Sequence, residues 1–296
     1  MNIYIDLHMH SFYSDDGQYS VEELIKKCHD KGLKIISLSD HNSTQGVQYA
    51  LKEAQKYNIH LIPAIEIDCT YNGINLHVLG YGINYKHDDF KDIENHIIEQ
   101  ELQCSLKKIE LTNQLGFDIQ QSQLDKLSKN GVYIGEMFGE VLLNDPRYIN
   151  HPLLLPYRQG QIRGDNPYVN FYWDYYAQGK PCDTPIQLPS LKDIISLIKK
   201  HGGIPVIAHP GNQLKEQLHI LDEMIHEGIE GIEVFSNYHN QELNEYFYNK
   251  AMQYNLLITC GSDYHGKTKP SIHLGENGCT INQDIIYNQL KERGLI

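Results

Sequence analysis

Ile3-Tyr4-Ile5-Asp6-Leu7-His8-Met9-His10-Ser11-Phe12-Tyr13-Ser14-Asp15-Asp16-Gly17 decides how the chain is read. A short β-branched apolar run ends in two histidines spaced two apart. Side chains alternate along a strand, so His8 and His10 point the same way, and both imidazoles can meet one metal ion. Asp15, in a turn bounded by Gly17, adds a carboxylate within reach. Alone, the pair could equally be two surface histidines, and the rest of the chain has to decide.

Working outward, Ile35 to Leu38 and His60 to Ile65 are further apolar runs of the kind found in buried parallel strands. Between them, Val21 to Lys31 and Gly46 to Lys56 carry apolar residues at helical spacing, and Ser20 with Glu23 forms a capping box. The final third repeats the alternation. Leu191 to Lys200, Leu214 to Glu227 and Gln241 to Tyr254 read as helices, while Ile204 to Ala208, Gly231 to Phe235 and Leu256 to Cys260 read as strands. The pattern predicts a parallel sheet with covering helices, in a (β/α) barrel or an open doubly wound sheet. The residues after His265 read as one more strand and a final helix.

The middle breaks this rhythm. Phe90 to Leu115 reads as one long helix with Ile93, Ile97, Leu102, Leu106 and Ile109 on its apolar face. Gln120 to Leu127 and Ile134 to Leu143 read as shorter helices. Asn144 to Pro189 is rich in proline and aromatic residues and too long for an ordinary connection. Residues 92–190 are therefore expected to form a helical insertion with an aromatic-rich lid, leaving 1–91 and 191–296 as the barrel domain.

Chemistry-bearing residues recur at the predicted strand ends. Ser39-Asp40-His41 closes the second strand and Glu66 the third. His77 stands in the hairpin-like stretch that follows. His209 ends a later strand, and Asp263-Tyr264-His265 ends another with an acid and a histidine two apart. Ligands in α/β folds gather at the C-terminal ends of the strands. Histidine and carboxylate donors without cysteine suit Zn²⁺, Mn²⁺ or Fe²⁺, and so many of them imply more than one ion.

The His-x-His block with its Ser-Asp, the Ser-Asp-His block, Glu66, the Ala-His-Pro-Gly block and the Gly-Ser-Asp-Tyr-His block resemble the successive motifs of PHP-domain phosphoesterases. Gly231-Ile232-Glu233-Val234, ahead of Tyr238-His239, is similar to that family too. The resemblance covers residues 3–90 and 190–266. It is strongest to the branch containing nucleoside 3′,5′-bisphosphate phosphatases and a related 5′-exoribonuclease. It implies an α/β fold, a distorted (β/α)7 barrel, with two or three divalent metal ions (Mn²⁺, Zn²⁺ or Fe²⁺). Carried over by motif, His8, His10, Glu66 and Asp263 would hold one ion. Glu66, bridging, with His77 and His209 would hold a second, and Asp15, His41 and His265 a third. Asp6 and Asp40 are read as carboxylates that orient imidazoles.

The departures lie in the insertion. Where that branch carries a Thr-Arg-Pro-like stretch, this chain has Ile134-Gly135-Glu136-Met137, with no arginine. Arg158 and Arg163 are the candidates to grip phosphate instead, against a plain surface role. The aromatics from Tyr168 to Tyr176 suit either a stacked ring or the lid's own core. His239 is a candidate substrate contact or proton donor.

The expected reaction is hydrolysis of a phosphate monoester by a metal-bridging hydroxide, which attacks phosphorus while the ions offset the phosphoryl charge. The same centre suits amidohydrolase-like C–N hydrolysis, since barrel and metals do not fix the electrophile. A non-catalytic metal-binding module is a third reading, against which the full set of ligands argues.

Composition bounds these readings. A formal net charge of −13 over 296 residues opposes long nucleic acid and anionic lipid as partners, and leaves a small phosphorylated substrate whose charge the ions offset. The six scattered cysteines read as reduced thiols. With no leader-like N-terminus and no long apolar run, the expectation is a cytoplasmic protein with no membrane association. Oligomeric state is not legible.

Overall fold

The apolar runs do form one sheet, in which seven strands lie side by side in chain order. The computed structural model describes residues 4–296, so Ile3, expected to begin the first strand, lies outside the described residues. In chain order the barrel begins β1 (Ile5–Asp6), α1 (Val21–Asp30), β2 (Ile35–Leu38), α2 (Val47–Lys56), β3 (His60–Tyr71) and β4 (Ile74–Tyr81). There follow α3 (Asp88–Gln114), α4 (Gln121–Leu124), α5 (Gly135–Asn144) and α6 (Pro167–Tyr175). The remainder is α7 (Leu191–Lys200), β5 (Ile204–Ile207), α8 (Pro210–Leu214), α9 (Ile220–Glu227), β6 (Gly231–Ser236), α10 (Gln241–Gln253), β7 (Leu257–Gly261) and α11 (Asp284–Glu292).

Strands β1, β2 and β3 are parallel, as are β5, β6 and β7, while β4 runs antiparallel to both its neighbours. That reversal has a local cause. Asn72 and Gly73 both have positive φ, 49° and 79°, the two-residue turn that favours a hairpin over a helical crossover. The sheet then comes round on itself. Leu7 N donates to Cys260 O (2.9 Å), and Met9 bridges Tyr264 in parallel, so the chain beyond β7 meets the chain beyond β1. The result is a nearly closed, distorted barrel of seven strands.

Strands β2, β6 and β7 are buried along their whole length, as expected where helices cover one face and the barrel interior fills the other. Ser20 and Glu23 make the expected capping box at α1. Between β4 and α7, the insertion packs on an apolar cluster of its own, which includes Phe117, Phe138, Leu142, Leu154, Phe171 and Tyr176.

Several expectations are corrected. Leu102 and Leu106 are 42% and 62% exposed, and α3 buries the expected Ile97 together with Phe90, Ser105 and Thr112. The supposed helix 214–227 is split, with Lys215 at φ 48° between α8 and α9. The stretch 144–189 is not wholly irregular, since Pro167 starts α6 from the position where its fixed φ suits a helix. No strand follows His265 among the described residues. Side chains from that segment finish the β1 edge instead: Gln283 Oε1 accepts from Tyr4 N and Ile5 N (2.8 and 3.1 Å), and Asn277 Nδ2 donates to Ile5 O (3.0 Å). Among the described residues no helix is long and apolar enough to cross a membrane.

Tyr81, fully buried on β4, donates its hydroxyl to Leu7 O (2.9 Å) and so ties the reversed strand to the start of the barrel. Tyr81→Phe keeps the volume and removes that donor. A loss of about 1–3 kcal/mol is expected, read as a lower denaturant midpoint with an unchanged slope.

Candidate metal centre

Leu7 and Met9 are buried in the wall of the barrel, and alternation turns His8 and His10 to its mouth. The two Nε2 atoms stand 3.1 Å apart. Both are close to Glu66 Oε2 (3.1 and 3.2 Å) and to Asp263 Oδ1 (3.4 and 3.2 Å). Glu66 shares itself: its other oxygen, Oε1, lies 3.1 Å from both His77 Nδ1 and His209 Nε2. A third group forms beside these, with His265 Nε2 2.9 Å from Asp16 Oδ2 and His41 Nε2 3.9 Å from the same oxygen.

Asp16, not Asp15, therefore stands with His41 and His265. The turn decides which acid faces inward. Ser14 N bonds Ser11 O (3.0 Å), Gly17 N bonds Ser14 O (3.3 Å), and a Cβ on Gly17 would lie 1.9 Å from Ser11 O. Lys129, from the insertion, caps the turn by donating to the carbonyls of Phe12, Ser14 and Gly17. Asp15 remains at the cavity wall, where burial pushes its carboxyl up to about 6 against the pull of Lys129.

The carboxylates that orient the imidazoles also differ from those expected. Asp6 touches no imidazole and accepts from the backbone amides of Ser262 (2.9 Å) and Gly275 (2.8 Å). Asp40 acts through Ser14. It accepts from Ser14 Oγ (3.2 Å), and that oxygen accepts from His10 Nδ1 (2.9 Å). The direct contact belongs to Glu233, fully buried on β6, whose Oε1 accepts from His8 Nδ1 (3.0 Å) and whose Oε2 accepts from His209 N (2.8 Å). A register shift at Glu233 to Phe235 re-aims this part of β6. Gly261 makes room, since a Cβ there would lie 2.2 Å from His8 Cβ and 2.4 Å from Glu233 Oε1.

Two more residues were not anticipated. Asp68 Oδ1 lies 3.3 Å from His77 Nε2 and 3.7 Å from His41 Nδ1. The signal was present, because Glu66 and Asp68 are two apart, but β3 continues well past the point where its apolar run stops. Lys269 donates to Asp263 Oδ2 (2.5 Å), as does Tyr238 OH (2.6 Å), which leaves Asp263 Oδ1 toward the histidines.

Three other candidates are occupied elsewhere. His239 Nδ1 donates to Val234 O (2.9 Å) and Nε2 accepts from Gly211 N (3.0 Å), so it is a structural tie between loops with no nitrogen left for a substrate. Arg158 donates to the carbonyls of Leu143 and Tyr148. Arg163 grips Asp174 through Nε (3.0 Å) and Nη2 (2.9 Å). Both arginines brace the insertion itself.

The donor set fits cations. His8, His10 and His265 donate Nδ1–H to Glu233, Ser14 and the Asp263 carbonyl, which fixes the tautomer and turns each Nε2 lone pair to the cluster. Asp16 Oδ1, His41 Nδ1, Asp68 Oδ1, His209 Nδ1, Asp263 Oδ1 and His265 Nε2 are buried without a hydrogen-bond partner. Buried polar atoms are rarely left so, and a gathering of them in one place points to an ion. The ligand atoms of His8, His10, Glu66 and Asp263 all lie within 4.8 Å of one another, as do those of His10, Asp16, His41 and His265, and those of His41, Glu66 and His77. Burial alone would raise Glu66, yet His8, His41 and His77 hold it well below the usual carboxylate range. Burial would lower His77, but Glu66 and Asp68 outweigh it and bring the ring up to about 9.

Backbone strain is concentrated here too. His209 and Asp263 have φ of 24° and 58°, conformations that cost non-glycine residues about 1–3 kcal/mol each. The Glu233 carboxylate on His209 N, and His8 O on Asp263 N (2.8 Å), hold them in place.

The cluster opens into a cavity of about 550 Å³ beneath the insertion. Asp16, His41, Asp68, His77 and Lys269 line its floor, and Ile97, Glu136, Tyr172, Trp173 and Tyr176 are among its other walls. The aromatic segment is divided, with Phe171 in the insertion's core and Tyr172 and Trp173 at the cavity.

The chain is similar to several known proteins. Residues 6–145 match the PHP domain. A phosphoribosyl 1,2-cyclic phosphate 1,2-diphosphodiesterase of Eggerthella lenta is 24% identical, with 91% of this chain and 97% of the relative covered. A 3′,5′-nucleoside bisphosphate phosphatase of Chromobacterium violaceum is 28% identical over 88% of this chain and 87% of its own length. A crystal structure from Bifidobacterium adolescentis, assigned as a metal-dependent phosphoesterase, superposes with a TM-score of 0.76 at 25% identity, covering 97% of this chain and 95% of that one.

Three outcomes are expected on metal titration of stripped protein. Asp16→Asn lowers the number of ions bound, whereas Asp15→Asn leaves it unchanged. Glu233→Gln weakens binding about 10–100-fold with the fold intact, the usual effect of losing a carboxylate behind a ligating histidine. Because a cation must displace the proton on His77, affinity falls as pH drops below about 9.

Proposed function

We propose that this chain, which carries a PHP domain and belongs to that family of metal-dependent phosphoesterases, hydrolyses the phosphate monoester of a small metabolite or nucleotide. One observation carries the reading: buried atoms of Asp16, His41 and Asp68 with no hydrogen-bond partner gather on the floor of a cavity sized for a single small molecule. The substrates named for the Eggerthella and Chromobacterium relatives are both small ribose phosphates, which supports it.

His8, His10, Glu66 and Asp263 would hold one divalent ion, Glu66 with His77 and His209 a second, and Asp16 with His41 and His265 a third. Such ions, when bound, lower the pKa of water toward neutrality and offset the charge of the phosphoryl oxygens. Around them the protein does the positioning. Glu233 fixes the ring of His8, and the Ser14–Asp40 pair fixes that of His10. Lys269 holds Asp263 and adds a fixed positive charge to the cavity. The insertion supplies the other walls of the cavity, which would limit bulk water around a bound ester. Among the described residues no arginine lines the cavity, so the phosphate relies on the cations and on lysine, with Lys269 at the floor. A net charge of −13 opposes a long polyanion, which favours a small substrate over nucleic acid.

The test is phosphate release by metal-stripped protein with Mn²⁺ restored. The panel includes p-nitrophenyl phosphate, nucleoside monophosphates, a nucleoside 3′,5′-bisphosphate, a ribosyl cyclic phosphate and a set of amides. Release from an ester that requires Mn²⁺ and disappears in His10→Ala is expected. Fully loaded protein that cleaves amides and no ester would sink the proposal.

A further inference from the structure

The insertion contributes four carboxylates to the cavity wall, and they are not equivalent. Glu94 accepts from Gln45 Nε2 (2.8 Å), Glu101 pairs with Lys108, and Asp183 accepts from Gly179 N (2.7 Å). Glu136, half-buried near the start of α5, has no hydrogen-bond or ion-pair partner among the described residues. On the same wall the Thr184 hydroxyl is buried and also unpaired. The aromatic rings of Tyr172 and Trp173, 5.1 Å apart, complete this side.

The cations that line the cavity are already engaged. Lys129 donates to three backbone carbonyls, Lys108 to Glu101 and the Tyr133 carbonyl, and Lys269 to Asp263. An anion arriving at the insertion side therefore meets an unpaired carboxylate, while the Lys129 ammonium is held by backbone carbonyls and Lys108 and Lys269 are paired with acids. A hydroxyl or amino group meets an acceptor that lacks a donor.

Resting on the reading of the cavity as a phosphoesterase site, we propose that Glu136 is a specificity-determining residue. It receives a hydrogen-bond donor on the organic part of a substrate bearing one phosphate, and it repels a second phosphate. Burial, with Asp16 second, pushes its carboxyl up to about 8, so the repulsion is present above that pH and fades as pH falls through it. An acid in the first turn also favours the helix dipole, but that effect is indifferent to the ligand and does not discriminate between substrates.

The test is direct binding, so that it does not depend on turnover. Adenosine 5′-monophosphate and adenosine 3′,5′-bisphosphate are titrated calorimetrically at about pH 9, where the Glu136 carboxyl is ionised, into protein loaded with Ca²⁺. Wild type is expected to bind the monophosphate at least about tenfold more tightly, the scale of one like-charge contact in a partly screened site. Glu136→Gln shrinks that ratio to within about threefold, and Glu136→Lys reverses it. Equal affinities in the wild type, tighter binding of the bisphosphate, no binding of either, or a ratio unmoved in both variants overturns the assignment. Phosphate release from p-nitrophenyl phosphate by the Mn²⁺-loaded wild type is measured alongside. Release with an unmoved ratio sinks the role of Glu136 alone, and an ester panel without release but with the shifted ratio sinks the reaction alone.

Discussion

Glu66 is the constraint around which the molecule is arranged. It is a fully buried carboxylate within about hydrogen-bonding distance of five histidines, His8, His10, His41, His77 and His209. A carboxylate moved from water to a protein interior costs several kcal/mol unless opposite charge surrounds it. Here the surrounding groups come from β1, β2, β4 and β5 or their ends, so the sheet must curl until those strand ends converge. An open doubly wound sheet would leave the His8 and His265 ends at opposite edges. Near-closure through Leu7 and Cys260 is therefore bound up with the site as well as with the packing.

The distortion of the barrel serves the same residue. A regular helical crossover after β3 would return the chain to the N-terminal side of the sheet and start another parallel strand. The Asn72-Gly73 turn instead sends β4 straight back beside β3, with Asp68 paired to His77 and Glu66 to Leu79. Cross-strand and diagonal neighbours on one face lie within side-chain reach. His77 therefore meets both Asp68 and Glu66 without any long loop to place it. A histidine inside an apolar strand would by default be a core residue. The reversed strand makes it a neighbour of two carboxylates.

How much of this could be read from the sequence follows from the range of each signal. Periodicity and caps are local, and they located β2, α1, α7 and the ends of β1 and β7 within a residue or two. The His-x-His and Asp-x-His pairs were legible because alternation fixes their direction within one strand. Asp16 was missed in favour of Asp15 because the choice depends on a turn closed by Ser11, Gly17 and a lysine from residue 129, far away in the chain. Glu233 was seen as part of a motif but given no role, since its contact with His8 spans the barrel. His239, Arg158 and Arg163 have the right chemistry, and only the fold shows their donors and acceptors already spent on backbone carbonyls, an amide and Asp174. The final strand expected after His265 failed for a related reason: glutamine and asparagine side chains satisfy the β1 edge, and an apolar tally cannot register that.

The acidity of the chain now has a physical meaning. With a net charge of −13, the surface repels phosphate at long range, and the arginines that composition offers as a remedy are braced inside the insertion. At the floor of the cavity positive charge comes from Lys269 and from whatever cations the histidine and carboxylate donors bind. Field lines from such a buried cluster are poorly screened, whereas surface charges beyond roughly 8–10 Å are damped by salt. An anionic group is thus stabilised only once it has entered the cavity. Discrimination among phosphate esters then falls to the groups that meet the rest of the molecule there, which are the aromatic rings and the carboxylates of the insertion.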